Sequence, residues 1–557
     1  MNILSIADNH DAGAALFING ELKAAVNQER IDRIKNSGAF PWGAIDATLE
    51  RAACSAKSID KIVIATSYTP SVFLRLFPQM HAQQKTKSQF SNSLHAYLLY
   101  QSLLKRSGFE WIEQRSSHAV LKRKLAKFSS APIVLMDHHR SHAEGAYRTQ
   151  PHKKALVLTL DAMGDGTTAT AWMGRDGTLV KLWDQSGLAA INLFYSQITE
   201  LLGFKPLRHE GKITGLAAFA KPDRTLLKKL RERYRFAGGR FSRINPLQPS
   251  EIDDPLWKFV AQHSKEVIAA TAQELLEEAT LSFVLHWINK TQCRNIAVAG
   301  GVFANVKLNQ CIAQHREVES LWVFPHMGDG GLAVGGGLAE LKANPAALKH
   351  IYWGNELNSI DKNRAIQRAQ GVKIRSNVLH ETAKRIARGD LIARCSGGME
   401  WGPRALGNRS ILAHARNPQI NDTLNKKLGR TEFMPFAPLV RDVDAERFFI
   451  NSSKAMHAAR FMTVCFKCTD AFKKAAPATV HIDGTARPQI LQKDQNPELY
   501  ELMTILAEEH EIPALINTSF NLHEEPIIAT PDEAVRAWRS ADLDGLLMED
   551  VLLVKHS

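Results

Sequence analysis

Cysteine is scarce, with six in 557 residues: Cys54, Cys293, Cys311, Cys395, Cys465 and Cys468. So thin a scatter excludes a disulfide framework and fits a reducing compartment. Only Cys465 and Cys468 form a CxxC, within RFMTVCFKCTD, which alternates like a strand. Residues three apart on a strand face opposite ways, so two separate half-buried thiols are expected. No stretch approaches ~18 consecutive apolar residues, so no transmembrane helix is expected. The opening MNILSIADNHDAGAALF lacks a basic region leading into an unbroken apolar run. No signal peptide is therefore expected, and the cytoplasm is the expected location. Internal repeats and low-complexity tracts are also missing. At 45% hydrophobic and 23% charged residues, the composition excludes a disordered or collagen-like chain.

Acidic residues are outnumbered, 57 against 70 Lys and Arg, for a formal charge of +13. A basic balance favours an anionic partner: a phosphorylated metabolite, nucleic acid or a membrane surface. Two stretches concentrate it, Lys105 to Lys127 and Lys221 to Arg243. Both read as solvated helix faces. At roughly 150 residues per domain, the length corresponds to two to four domains.

The chain opens as strand, turn, strand. Asn2 to Ala7 and Ala14 to Ile18 are short and apolar, Asn19-Gly20 is a type I′ hairpin signal, and Leu22 to Asn27 continues. KIVIAT (Lys61 to Thr66), PIVLM (Pro132 to Met136), Leu156 to Leu160, Thr167 to Met173 and Ile296 to Ala299 read as further strands. Ala270 to Leu285 has helical periodicity. Strands alternating with helices predict an α/β fold. Near Glu356 the texture changes. Ile360 to Arg388 reads as a polar helical connector, followed by the strand Leu391 to Ala393, which places a boundary between domains 1–355 and 356–557.

Five segments carry chemistry. In DHHRSHAEGAY, Asp137 is a plausible N-cap, and His138 and His142 fall four apart on one helix face. Two imidazoles at that spacing hold a metal ion, or are simply a polar helix start. In LTLDAMGDGTT a strand ends at Asp161 and turns through Gly164, Asp165 and Gly166, either cradling phosphate or forming a hairpin. VAGGVFANV runs a strand through Gly300 and Gly301 toward a helix, the layout of a nucleotide cradle. In FPHMGDGGLAVGGG, Asp329 sits among glycines, suited to be a third metal ligand. In GGMEWGPRALGNRS, Arg404 and Arg409 lie in a Gly/Pro cage that lets guanidinium groups grip phosphate. Arg487 in HIDGTARPQ, with Asn517 and Ser519 in INTSFN, would complete an oxyanion pocket.

Together with NHDAGAALF and LLGFKPLRHEGKITGLA, and in this order along nearly the whole chain, these segments resemble the O-carbamoyltransferase family of NodU-type and tobramycin-carbamoyltransferase-like enzymes. The resemblance implies an actin/sugar-kinase-like N-terminal domain, related to the tRNA threonylcarbamoyl-transfer proteins, and a YrdC-like C-terminal domain. It implies an ATP-dependent enzyme of two steps. Carbamoyl phosphate is hydrolysed to carbamate, which attacks ATP to give carbamoyl-adenylate and pyrophosphate. A hydroxyl of a small-molecule or sugar acceptor then takes the carbamoyl group and releases AMP. Residue by residue, it assigns Arg404, Arg487, Asn517 and Ser519 to carbamoyl phosphate, and His138, His142 and Asp329 to a divalent metal, usually Fe2+. It assigns Asp161, Gly164, Gly300, Gly301, Asn305 and Gly330 to the nucleotide, and His10, Asp11 and Lys212 to catalysis, with His10 as base. No membrane or nucleic-acid partner is expected; a homodimer is a candidate state. The alternatives on the same fold are a tRNA threonylcarbamoyl transferase and a non-catalytic nucleotide-binding regulator.

Four positions depart from the family pattern. Met434 stands where many relatives carry Arg before PFAP, and Leu428 where they carry Lys, with Lys427 or Arg430 nearby as substitutes. Asn36 replaces a usual His, and Glu524 a usual Gly after NTSFN.

Overall fold

Asn19 and Gly20 adopt φ of 53° and 85°, the left-handed pair that a type I′ turn demands, and they join β2 (Gly13–Ile18) to β3 (Glu21–Asn27). β2 runs antiparallel to β1 (Asn2–Ala7). On the other side of β1 lies the parallel strand β4 (Lys61–Ile64), followed by β5 (Ile133–Leu135), also parallel. Ile3, Leu4, Ile6 and Ala7 are all buried, as expected of a central strand covered on both faces.

The structure is a computed structural model that describes residues 1–38, 40–77, 92–187, 191–243, 254–429 and 434–555. The chain forms two units. One comprises Met1–Leu22, Gly38–Pro41 and Cys54–Leu348; the other Lys23–Ser37, Trp42–Ala53 and Lys349–Ser557. The break thus falls at Leu348, a few residues before Glu356. The second unit also takes two early segments that no change of composition marks. Hydrogen bonds explain the allocation: Arg30 Nη2 donates to the Gly402 carbonyl at 2.8 Å, and Arg33 donates to the carbonyls of Ile527 and Pro526 at 2.8 and 2.7 Å.

The first unit repeats its own topology. β6 (Lys154–Gly164) pairs antiparallel with β7 (Thr167–Arg175), which pairs with β8 (Thr178–Ser186). A small hairpin of β9 (Tyr234–Ala237) and β10 (Arg240–Arg243) intervenes. β11 (Asn295–Ala299) then lies parallel to β6, and β12 (Ser320–Val323) parallel to β11. An antiparallel hairpin on one side of the leading strand and two parallel strands on the other is the arrangement of β1, β2, β4 and β5. The sequence shows no repeat, because burial constrains hydropathy and turn chemistry but not residue identity.

The helix His138–Arg148 and the helix Leu332–Leu341 pack against each other. Their approach depends on glycine. A Cβ at Gly335 would overlap the Ser141 carbonyl, and one at Gly336 would lie 2.9 Å from the Ala65 methyl. Gly335 thus lets the two helices approach, while Gly336 and Gly337 let the second helix pack on Ala65 and on Phe17 of β2. Of the basic stretch from Lys221 to Arg243, the helical part Arg224–Arg233 has its three arginines paired with carboxylates. Arg224 pairs with Glu274, Arg231 with Glu278 and Arg233 with Asp254.

The second unit is built on an eight-stranded mixed sheet. Its strands are β13 (Val372–Ile374), β14 (Ile392–Cys395), β15 (Arg409–His414), β16 (Ala437–Arg441), β19 (Gln489–Leu491), β20 (Ala514–Ser519), β21 (Gly545–Met548) and β22 (Val551–Val554), while β17 (Phe466–Lys467) and β18 (Thr485–Ala486) form a separate pair. The sheet order is β13-β22-β21-β14-β15-β20-β16-β19. One face packs on the helices Val378–Ala387 and Pro497–Glu509 through Ile386, Leu412, Leu502, Leu506 and Leu547. The stretch Ile360 to Arg388 is not one connector. It is two helices, Ser359–Arg368 and Val378–Ala387, parted by edge strand β13. Gly371, at φ 131°, breaks the run where a Cβ would overlap the Val554 carbonyl. Cys465 and Cys468 are thiols not joined in a disulfide and are buried rather than half-buried, and burial pushes the Cys468 thiol up to about 12. Among the described residues, no helix is long and apolar enough to cross a membrane.

Candidate functional site

Asp137 caps the histidine helix, its Oδ1 accepting from the Arg140 N–H at 2.8 Å. One turn of helix then brings His138 and His142 to the same face, with ring centroids 4.8 Å apart. Their Nε2 atoms lie 3.3 and 3.2 Å from Oδ2 of Asp161, where the register of β6 shifts between Leu160 and Gly164, and 3.6 and 3.5 Å from Oδ1 of Asp329. Ligand atoms of all four residues fall within 4.8 Å of one another. Asp161, which the resemblance assigns to the nucleotide, thus stands in the same cluster as His138, His142 and Asp329.

Two imidazoles and two carboxylates, all largely withdrawn from water, are a donor set for a divalent transition metal; a pair of imidazoles with a carboxylate suits Fe(II) among others. The electrostatics agree. Burial opposes charge on His138, yet Asp329 and Asp161 outweigh it and raise its pKa to about 9. Burial works against the Asp161 carboxylate too, and hydrogen bonds from His138 and His142 nonetheless hold it well below the usual carboxylate range. The cluster therefore attracts positive charge. His139, between them in sequence, points elsewhere. It bridges Thr159 Oγ1 at 2.6 Å and the Thr167 carbonyl at 2.9 Å, and burial with its two histidine neighbours drives its pKa well down.

Asp329 has a second face. Its Oδ2 accepts from Asn9 Nδ2 at 3.0 Å and lies 3.3 Å from His10 Nδ1. Asn9 has no precedent in the sequence reading; it emits no signal beyond its place beside His10. His10 is 57% exposed at its side chain, so a substrate can reach it. A Cβ on Gly330 would lie 2.7 Å from Asp11 Oδ2 and would overlap His326, which places Asp11 against this loop.

The glycines have packing reasons. A Cβ at Gly164 would overlap the His138 ring, and one at Gly300, φ 103°, would overlap the Leu160 carbonyl. A Cβ at Gly301 would come 3.2 Å from Asp161 Oδ1. Asp165 and Gly166, at φ 47° and 68°, make the turn between β6 and β7 a type I′ hairpin. Asp165 is a structural carboxylate, accepting from the N–H groups of Ser67, Tyr68 and His138 at 2.8 to 2.9 Å. Asn305 caps the helix Val306–Gln314 through Oδ1 and donates through Nδ2 to Gln273 and Thr214. Lys212, in the helix Glu210–Leu216, holds its Nζ 5.9 Å from the Phe204 ring centroid.

In the second unit, Glu400 organises the WGPRALGNR loop. It is buried, and its Oε1 accepts from the N–H groups of Leu406, Asn408 and Arg409 at 2.8, 2.8 and 3.2 Å. Arg409 is a structural tie rather than a phosphate grip: its guanidinium is buried and donates to the carbonyls of Ser396, Gly397 and Asn408. Arg404 is half-buried on the same loop. Beside it, Asn517 Nδ2 donates to Gln489 Oε1 at 2.6 Å and to the Ala405 carbonyl at 3.4 Å, while Gln489 Nε2 donates to the Leu406 carbonyl at 2.9 Å. Asn517 and Ser519 are two apart on β20 and share a face. Arg487 lies between β18 and β19, two residues before Gln489. Three motifs distant in sequence thus meet around the Arg404 loop through fully buried Gln489, which the sequence reading did not single out. Leu428 is buried, Lys427 is bound to Asp542 at 2.8 Å, and Arg430 lies outside the described residues. Glu524 has φ 60°, the left-handed conformation that a glycine takes without strain.

Residues 2–338 match the family model described as carbamoyltransferase N-terminus, and residues 383–555 the one described as carbamoyltransferase C-terminus. The chain is 34% identical to the uncharacterized protein MJ1058 of Methanocaldococcus jannaschii, over 85% of this chain and 83% of that protein. It is 31% identical to nodulation protein NolNO of Sinorhizobium fredii, over 98% of this chain and 79% of that one. Among solved structures, full-length HypF in its phosphate- and nucleotide-bound form aligns at a TM-score of 0.33 with 12% identity, covering 61% of this chain and 55% of HypF.

Proposed function

Because the chain belongs to the carbamoyltransferase family through both its N-terminal and its C-terminal parts, we propose that it is an ATP-dependent O-carbamoyltransferase working in two steps. The observation that carries this reading is the convergence of His138, His142, Asp161 and Asp329, with His10 on the outer oxygen of Asp329.

In the first step, assigned to the second unit, Arg404 and Arg487 bind carbamoyl phosphate. Asn517 fixes the Arg404 loop from beneath, through Gln489 and the Ala405 carbonyl. Carbamoyl phosphate is hydrolysed to carbamate and phosphate; a carbamate oxygen attacks the α-phosphorus of ATP, and pyrophosphate leaves. In the second step, assigned to the first unit, an acceptor hydroxyl attacks the carbamoyl carbon and AMP leaves. His10 takes the hydroxyl proton. With Nδ1 3.3 Å from Asp329 Oδ2, the tautomer that donates there leaves Nε2 as the basic atom of the ring. His138, His142, Asp161 and Asp329 would hold a divalent metal, Fe2+ on this donor set, which supplies Lewis acidity toward phosphate and carbamoyl oxygens. Asp161 completes that donor set from β6, its Oδ2 facing the Nε2 atoms of both histidines. The acceptor is a hydroxyl of a small molecule or sugar, and the cytoplasm supplies ATP.

Incubation with ATP and carbamoyl phosphate, analysed by mass spectrometry, tests the reading. Carbamoyl-adenylate and stoichiometric pyrophosphate are expected; ATP binding with neither product would instead indicate a regulator.

A further inference from the structure

One buried guanidinium near the candidate site, that of Arg75, is paired with the buried carboxylate of Asp8 and linked through Ser67 to that of Asp165. Arg75 lies in the short helix Val72–Leu76 and is 1% exposed at its side chain, Asp8 2%. Arg75 Nε donates to Asp8 Oδ2 at 2.8 Å and Nη2 to Asp8 Oδ1 at 3.1 Å, a two-pronged grip. Nη2 also donates to Thr66 Oγ1 at 3.0 Å, and Nη1 to the Ser67 carbonyl at 3.2 Å. Ser67 in turn donates through its N–H and Oγ to Asp165 Oδ2 at 2.8 and 2.9 Å, and the same oxygen accepts from the N–H of His138.

These bonds lead to both sides of the site. Asp8 directly precedes Asn9 and His10, the two residues that reach Asp329 Oδ2. Ser67 and Asp165 fix the first residue of the helix bearing His138 and His142. A planar guanidinium with donors fixed in a fork satisfies Asp8, Thr66 and Ser67 together; an ammonium on a flexible stem has no such geometry. We infer that Arg75 is a positioning residue of the carbamoyl-transfer site, holding the Asn9–His10 loop through Asp8 and the histidine helix through Ser67 and Asp165 in one register. It acts through these neighbours and is not assigned contact with substrate.

The inference rests on the proposed function for its kinetic test but not for its binding test. Three variants are informative: Arg75→Lys keeps the charge, Arg75→Ala opens a guanidinium-sized space, and Asp8→Asn removes the charge with little change of shape. Anaerobic titration of the metal-free variants with Fe2+ should show affinity weakened ~10–100-fold, the usual effect of disturbing partners behind metal ligands. Guanidinium chloride at low millimolar concentration should restore Arg75→Ala, while methylammonium should not. In turnover, pyrophosphate release should match the parent protein and transfer should fall ~10²-fold in kcat, as misplacement of reacting groups by about 1 Å does. If Arg75→Ala does not fold, Asp8→Asn decides. Parent-like Fe2+ affinity in both Arg75→Lys and Asp8→Asn would overturn the inference, whatever the enzyme's reaction. Absence of carbamoyl-adenylate from the parent protein would overturn the proposed function alone.

Discussion

His10 Nδ1 lies 3.3 Å from Oδ2 of Asp329, the oxygen turned away from His138 and His142. One carboxylate therefore serves two tasks. Oδ1 belongs to the metal-ligating cluster, and Oδ2 orients the ring of the proposed base. Removing His10 should separate these tasks, whereas removing Asp329 should lose both.

His10→Asn should retain pyrophosphate release and lose acceptor carbamoylation ~10²–10⁴-fold, the usual range for a general base. Asn can still donate to Asp329 Oδ2, so metal content should be unchanged. Near-normal acceptor turnover, with the acceptor identified, would remove His10 from the mechanism.

Asp161→Ala should cost metal occupancy as His138→Ala or His142→Ala does, because its Oδ2 lies 3.3 and 3.2 Å from their Nε2 atoms. Metal analysis of the purified variants measures this. Full occupancy in Asp161→Ala together with weakened ATP binding would return Asp161 to the nucleotide.

The two arginines of the WGPRALGNR loop should part company. Arg404→Ala should abolish carbamoyl-adenylate formation at little cost in stability, leaving supplied carbamoyl-adenylate usable. Arg409→Ala strands the carbonyls of Ser396, Gly397 and Asn408 and should destabilise the protein by about 2–4 kcal/mol. Thermal melts alongside a pyrophosphate assay distinguish them. Equal melting temperatures for the two variants would contradict the assignment.

The metal-free protein should lose stability as pH rises. His138 has a folded pKa of about 9, above its ordinary value of about 6.5. Its contribution is fully present below pH ~6.5 and is lost as pH passes ~9. His139, held neutral by burial, opposes it only below that lower limit. A metal on His138 Nε2 must displace the proton, so apparent metal affinity should rise across the same window. Melting temperatures from pH 6 to 10 with and without Fe2+ check both; a flat metal-free profile would count against the cluster's charge balance.

Glu524→Gly should raise stability by about 0.5–1 kcal/mol, since φ is 60° there and glycine takes that conformation without strain. A lower melting temperature would show that the Glu side chain contributes more than the backbone strain costs.

Much of the local structure was legible. Asn19-Gly20 marked a hairpin because few residues tolerate two successive positive φ values. Asp137 marked a helix start because its carboxylate satisfies an otherwise unpaired N–H. His138 and His142 shared a face because helical geometry fixes four-residue spacing. The glycines also carry packing duties that the sequence does not record. Gly164 and Gly335 leave room for the His138 ring and the Ser141 carbonyl. A sequence shows that a side chain is missing but not what fills the space.

The sequence by itself determined the α/β character, the order of the motifs and the His138–His142 pair, since each depends on neighbours within a few residues or on motif order along the chain. Tertiary structure decided the rest. It set Asp161 beside Asp329, turned Asp329 Oδ2 toward His10, enlisted Asp8 and Arg75 behind them, and gave Lys23–Ser37 to the second unit. These relations join residues far apart in the chain. They follow from which buried charges must be paired and which carbonyls must find donors once the sheets close, and no local spacing records that requirement.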